Sequence, residues 1–254
     1  MLPLLYFYLL YFFKYFDRLS DGEIYVSYAR RFRQLPEIRM VHTELYFDDM
    51  DDSKKIDVDE IVDLEMVDNV EHFHDQKNWT PFEFEGFMYY INSIWPFQVV
   101  NITVDEKRPW VAQANMITSI AFHNIKSHWE YGHIRGGTPA LPIGNNTYLS
   151  FFHSSSTTNR LQTYVFGAYT FIAKSGPAFM LSSLSRIPIA DVSFYEGKWK
   201  EQMGAAAFID YVTFPMSFFI EEGFVFVLVG QQDKEGSLIK LKLTTLLESL
   251  IEVK

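Results

Sequence analysis

"GHIRGGTPALPIGNNTYLSFFHSS", residues 132–155, holds two adjacent glycines, two prolines, an arginine and two histidines, then runs into an aromatic strand. Gly136 and Gly137 are flexible, and Pro139 and Pro142 block helical hydrogen bonding, so most of the stretch does not suit a helix. It reads as a tight loop delivering His133, Arg135 and Thr138, followed by a strand that ends at His153. The same punctuation recurs along the chain. Aromatic, alternating runs at 22–32 (GEIYVSYARRF), 39–47, 86–94 (GFMYYINSI), 97–104, 148–155, 163–173 (TYVFGAYTFIA) and 224–233 (FVFVLVGQQD) are separated by Gly, Pro, Asn and Asp. "DGE", "FEGF" and "EEGF" read as hairpin turns leading into aromatic strands.

Two segments carry helical spacing. The C-terminal SLIKLKLTTLLESLIEVK fits either a strand plus a short helix or one amphipathic helix, and DVDEIVDLEMV fits a turn or two. Strands and helices do not alternate, which excludes doubly wound and α/β-barrel architectures. The expectation is an all-β chain of repeated aromatic hairpins: a sandwich, a barrel or a propeller.

The bulk properties narrow the function. The 254 residues are 48% hydrophobic and 17% aromatic, enough for a large core. The 24 Phe and 15 Tyr favour strands over helices. With 22 Lys and Arg against 32 Asp and Glu, the net charge is −10. That argues against a nucleic-acid partner or an anionic membrane surface, both of which need a basic patch. The chain has no cysteine. Disulfides, thiolate catalysis and cysteine metal sites are excluded. A reducing compartment fits, so a cytoplasmic location is the expectation. The apolar start, residues 1–16, has no basic leader region and no small-residue cleavage site, and it is short for a bilayer span. It is read as a buried or ragged strand, with a membrane-associated segment or a start that truncates a longer parent as the alternatives. The strongly acidic run 48–75 is read as a solvated loop between strands; a metal site is the alternative, although its spacing does not match a calcium loop.

Familiar catalytic motifs are missing. The chain contains no Gly-rich phosphate loop ending in Lys-Ser/Thr and no His-Glu-x-x-His. His72 and His74 share a strand face but lack a third ligand, so no metal is expected. Ser154–Thr158 reads as a polar turn rather than a nucleophile elbow. The sequons at Asn78, Asn101 and Asn145 carry no functional weight. What remains is a set of polar residues at strand ends beside aromatics: Lys77, Asn78 and Trp79; His133, Arg135 and Thr138; and His153. Cations next to aromatic rings in an acidic protein suggest a pocket for a neutral sugar beside an anion. Trp79, Trp95 and Trp129 are candidate sugar platforms, with a place in the core as the alternative.

Four blocks in order carry a family resemblance: Lys77-Asn78 with Pro81-Phe82; Arg135-Gly136-Gly137-Thr138-Pro139 with the strand to His153; Tyr164 with Gly167-Ala168-Tyr169; and Phe214-Pro215, an acidic turn, a hydrophobic strand, Gly230 and Asp233. Together they resemble glycoside hydrolase family 130, the β-mannoside phosphorylases and their relatives. The resemblance implies a single five-bladed β-propeller domain over 1–254, with an incomplete first blade because family members carry more chain before this point. It implies an oligosaccharide or glycoside substrate and cleavage of a β-mannosidic bond by inorganic phosphate, with hydrolysis or mannosyl transfer in some relatives. No cofactor is implied beyond phosphate as co-substrate. Lys77, Arg135 and His153 would bind phosphate, and Asn78, Trp79, Gly137, Thr138, Tyr164 and Asp233 would bind the sugar. The family's general acid lies in a Glu-Asp-Pro-Arg block. Here the corresponding stretch reads YFDRLSDGEIYVSY, which leaves Asp17 as the candidate acid but lacks the Glu and the Pro. A glycan-binding propeller without turnover and an interaction scaffold are therefore the competing readings.

Overall fold

A computed structural model of the chain describes residues 13–18, 24–28, 45–47, 56–58, 63–66, 78–105, 108–120, 129–158, 161–176, 178–196, 212–232 and 235–253. The chain divides into two compact units, 1–92 with 99–117, and 93–98 with 118–254. Both are built from β-strands, so the all-β expectation holds.

In the first unit, β1 (Phe13–Arg18) pairs antiparallel with β2 (Ile24–Tyr28). Likewise β3 (Leu45–Phe47) pairs with β4 (Ile56–Val58). A five-stranded sheet contains β5 (Asp63–Met66), β6 (Thr80–Phe84), β7 (Phe87–Ser93), β8 (Phe97–Asp105) and β9 (Arg108–Ile120). Its order is β5–β9–β8–β7–β6, with β5 parallel to β9. Strands β4 and β5 lie inside the acidic run that the sequence suggested was loop, with a turn or two of helix. The correction has a simple cause. Leu64 and Met66 alternate with Asp63 and Glu65, the period of a strand, and β9 offers a free ladder for their backbone. The core of this unit gathers Trp79, Tyr90, Val100 and Ala114, with Met88, Ile102 and Met116 packed against it. Pairs such as 88/90 and 100/102 are two apart, so each strand sends one face inward.

The second unit holds β10 (His133–Gly136), β11 (Leu141–Gly144), β12 (Thr147–Thr158), β13 (Leu161–Lys174), β14 (Ala178–Ser185) and β18 (Leu250–Glu252). These make one sheet of order β10–β12–β13–β14–β18, with β11 also on β12. A second sheet is the meander β15 (Thr213–Glu221), β16 (Phe224–Gln231) and β17 (Glu235–Lys242). Two short helices, α1 (Val192–Glu196) and α2 (Leu243–Ser249), complete it. The C-terminal segment thus resolves as strand, short helix and a further strand that returns to β14.

The β12 strand does not end at His153. Its register with β13 is unbroken from Thr147↔Ile172 to Thr158↔Leu161, so Ser154–Thr158 is strand rather than turn. The partner strand supplies the ladder there, and the Ser154 hydroxyl donates to the Tyr131 carbonyl at 2.8 Å. Two of the expected turns appear where two consecutive residues have positive φ: Glu85 and Gly86 between β6 and β7, and Glu222 and Gly223 between β15 and β16; the DGE turn lies outside the described residues. Asn145 and Asn146 do the same between β11 and β12.

The sheet is packed on both faces. Leu149, Phe151 and Phe166 are fully buried on one face, and Phe152, Tyr169 and Phe171 on the other. Each such large side chain contributes roughly 1.5–3 kcal/mol on burial. Aromatic contacts link neighbouring strands: Tyr148 stacks on Phe171 at 5.0 Å, and Phe151 meets Phe218 of β15 edge-on at 5.0 Å.

Candidate active site

Within the second unit, Arg135 of β10 lies directly opposite His153 of β12. Directly opposed residues in an antiparallel pair project to the same face, so the two side chains are neighbours. His153 is buried, and its Nδ1 lies 2.8 Å from the Gly136 carbonyl oxygen. A carbonyl only accepts, so Nδ1 carries the proton in that bond. The ring is closed in by Tyr164, stacked at 5.8 Å, and by Phe214, tilted at 4.6 Å. Arg135 is half-buried. Its Nε is buried and has no hydrogen-bond partner among the described residues. Leaving such a donor unsatisfied costs about 1–3 kcal/mol, more when the group is charged.

The loop after Arg135 is locked onto β12. The Thr138 N–H donates to the Phe151 carbonyl at 3.0 Å, and the Phe151 N–H donates to Thr138 Oγ1 at 3.0 Å. The Ser150 hydroxyl donates to the Thr138 carbonyl at 3.0 Å. Thr138, expected at the sugar site, is fully buried, and its hydroxyl is engaged with the β12 backbone. Gly137 makes the close approach that this requires: a Cβ there would stand 2.6 Å from the Phe151 carbonyl oxygen and 2.8 Å from Pro215 Cγ.

Tyr164 joins Arg135 and His153 through its stack on the imidazole. Asn78 and Trp79 belong to the first unit and are buried, Trp79 tilted against Tyr90 at 6.2 Å. Trp129 is core rather than platform, 2% exposed, with edge contacts to Phe152 at 4.7 Å and Tyr131 at 5.0 Å. Asp17 lies in β1, its backbone opposite Tyr25. Lys77, Asp233, His72 and His74 lie outside the described residues. The strand before Asp233 is tied down: Gln231 Nε2 donates to the Phe194 carbonyl at 3.1 Å, and the Gln232 N–H donates to the Val212 carbonyl at 2.8 Å. Phe214, which the sequence places in the fourth block without pointing to a role, forms one wall of the His153 ring. Among the described residues no group of three or more His, Asp or Glu gathers to hold a metal ion, and no helix is long and apolar enough to cross a membrane.

Two solved structures match this arrangement of sheets over nearly the whole chain. One is a β-1,2-mannobiose phosphorylase from Listeria innocua in complex with β-1,2-mannobiose, at TM-score 0.55 and 14% identity, covering 92% of this chain and 58% of that one. The other is a glycosyl hydrolase from Bacteroides ovatus, at TM-score 0.53 and 14% identity, covering 91% of this chain and 64% of that one. The chain shares their fold. It spans less than two thirds of the length of either. No protein-family model and no curated protein matches the sequence.

Proposed function

We propose that the chain is a five-bladed β-propeller related to glycoside hydrolase family 130, acting on a β-mannoside or similar glycoside by phosphorolysis or mannosyl transfer. The observation that carries this reading is Arg135 beside His153. A buried guanidinium N–H without an acceptor among the described residues stands next to an oriented imidazole, walled by Tyr164 and Phe214. That chemistry suits an oxyanion next to a sugar ring, since Arg grips phosphate oxygens and aromatic faces pack on sugar C–H bonds. The fold shared with a mannobiose phosphorylase supports the same direction. Gly137 and Thr138 serve by fixing the loop that carries Arg135. Lys77 as a further phosphate ligand, Asn78, Trp79 and Asp233 at the sugar, and Asp17 as the acid rest on the resemblance of the sequence blocks.

In this reaction a phosphate oxygen attacks the anomeric carbon from the face opposite the leaving oxygen. The new carbon–oxygen bond forms as the glycosidic bond breaks, and the leaving oxygen takes a proton from a carboxylic acid, here assigned to Asp17. The products are mannose 1-phosphate and the shortened glycoside.

The second reading, a propeller that binds glycan without turnover, is favoured by one feature: the stretch around Asp17 lacks the Glu and Pro of the family's acid block. The deciding assay measures phosphate-dependent release of mannose 1-phosphate from β-1,2-mannobiose and a panel of β-mannosides. Turnover that is lost in Asp17→Asn and in Arg135→Gln supports the enzyme. Saturable mannobiose binding with no product supports the glycan-binding reading. Neither binding nor turnover removes both and leaves the scaffold.

A further inference from the structure

We propose that a cavity in the second unit, sharing no residue with the Arg135–His153 pair, binds a small carboxylate with an apolar body. The cavity holds about 220 Å³ and lies among the end of β14, the segment 186–189 that follows it, the end of β17 and α2. Its apolar wall comes from Ile187, Pro188, Leu241 and Leu246. Leu246 is buried, and Ile187 is 65% exposed at the rim.

Every ionisable residue in the wall is cationic. Arg186 and Lys242 line it, and neither side chain makes an ion pair or hydrogen bond among the described residues. In a chain of net charge −10, two unpaired cations beside one apolar cavity run against the bulk charge. The hydroxyls add donors. Ser185, 3% exposed, accepts the Ala168 N–H at 2.8 Å, which leaves its own proton to donate. The Thr245 hydroxyl makes no hydrogen bond among the described residues. Ser249 does not join them, because it donates to the Leu246 carbonyl at 2.6 Å. The wall is thus rich in donors and holds no carboxylate, so the matching head group is an anionic acceptor. Arg186 can grip such a head in the two-bond geometry that guanidinium makes with carboxylate.

The segment that forms the wall is held in place. The Ile189 N–H donates to the Phe166 carbonyl at 2.9 Å, and the buried Tyr195 hydroxyl donates to the Ile189 carbonyl. Size then selects the ligand. An apolar cavity of about 150 Å³ accepts a benzene ring, so about 220 Å³ accepts a phenyl or short branched alkyl body plus a three-atom head.

The experiment is calorimetric titration of the full chain with sodium benzoate, with neutral benzamide and with acetate. For nine non-hydrogen atoms, benzoate is expected to bind with Kd of roughly 0.1–1 mM. Benzamide should be weaker by about 10-fold, because the ionised head is lost, and acetate weaker still, because the apolar body is lost. Arg186→Gln and Lys242→Gln, both at exposed positions, should each weaken benzoate by about 10-fold with the melting temperature unchanged. Benzamide binding as tightly as benzoate overturns the proposal, as does benzoate binding that survives both substitutions or no benzoate heat at about 10 mM, well above the expected Kd.

Discussion

Arg135 and His153 face each other across the β10–β12 ladder, and the carbonyl of the next residue on β10, Gly136, fixes the imidazole by accepting its Nδ1 proton. One short strand therefore sets both groups: it carries the guanidinium and orients the ring. If this pair holds phosphate, inorganic phosphate should stabilise the protein. At 100 times Kd the gain is about 2.7 kcal/mol, several degrees in Tm for a chain of this size. Arg135→Gln should abolish that shift while leaving the phosphate-free Tm at or above wild type, because it removes a buried, charged donor that has no partner among the described residues. An equal phosphate shift in both proteins would sink the anion assignment.

Gly137 is expected to tolerate no side chain. The nearest obstacle to a Cβ is the Phe151 carbonyl oxygen, a backbone atom of a central strand that cannot swing aside. Gly137→Ala should destabilise by roughly 1–3 kcal/mol, the range for overpacking a well-filled site. Chemical denaturation measures it. A neutral substitution would mean that the loop does not sit as close to β12 as described.

Thr138→Val keeps the shape and deletes the hydroxyl that accepts the Phe151 N–H. The loss should be about 1–3 kcal/mol, and Thr138→Ser should recover most of it. Activity should fall only as far as the population of folded protein falls, since Thr138 has no exposed surface to offer a ligand. A Thr138→Val protein that melts normally but fails to bind substrate would contradict this division of labour.

These cases show which parts of the molecule were legible. The aromatic strands and the FEGF and EEGF turns follow from alternation and turn chemistry, which act over a few residues. The extension of β12 through Ser154–Thr158 was not legible, because its polar residues look like a turn until β13 supplies their ladder. The C-terminus left two options open because the apolar/Lys alternation of 239–242 gives way to helical spacing, and the last strand, β18, finds its partner β14 far back in the chain. At the site, the spacing of Arg135 and His153 could be read as a block. Phe214, the second wall of the imidazole, arrives from a separate sheet, and the burial of Thr138 depends on a contact with β12 that no local pattern encodes.

Asp191 precedes α1, and its side chain accepts hydrogen bonds from the Ser193 hydroxyl and from the Ser193 N–H at 2.8 Å. These bonds, together with the Phe194 N–H, hold the carboxyl below its ordinary value. A carboxyl depressed in the folded state is protonated first in the unfolded state. Its contribution is complete above the ordinary value of about 3.9 and disappears as pH falls through the lower, folded value. Asp191→Ala should therefore melt below wild type at pH 6 to 7, and the two curves should converge as the pH drops below about 4. Asp191→Asn, which keeps an acceptor oxygen, should lie between them at neutral pH and lose the steep acid dependence. Thermal melts from about pH 3 to 7 read this directly. A wild-type to alanine gap that stays constant across that range would assign the effect to packing of the 186–195 segment rather than to the charged cap.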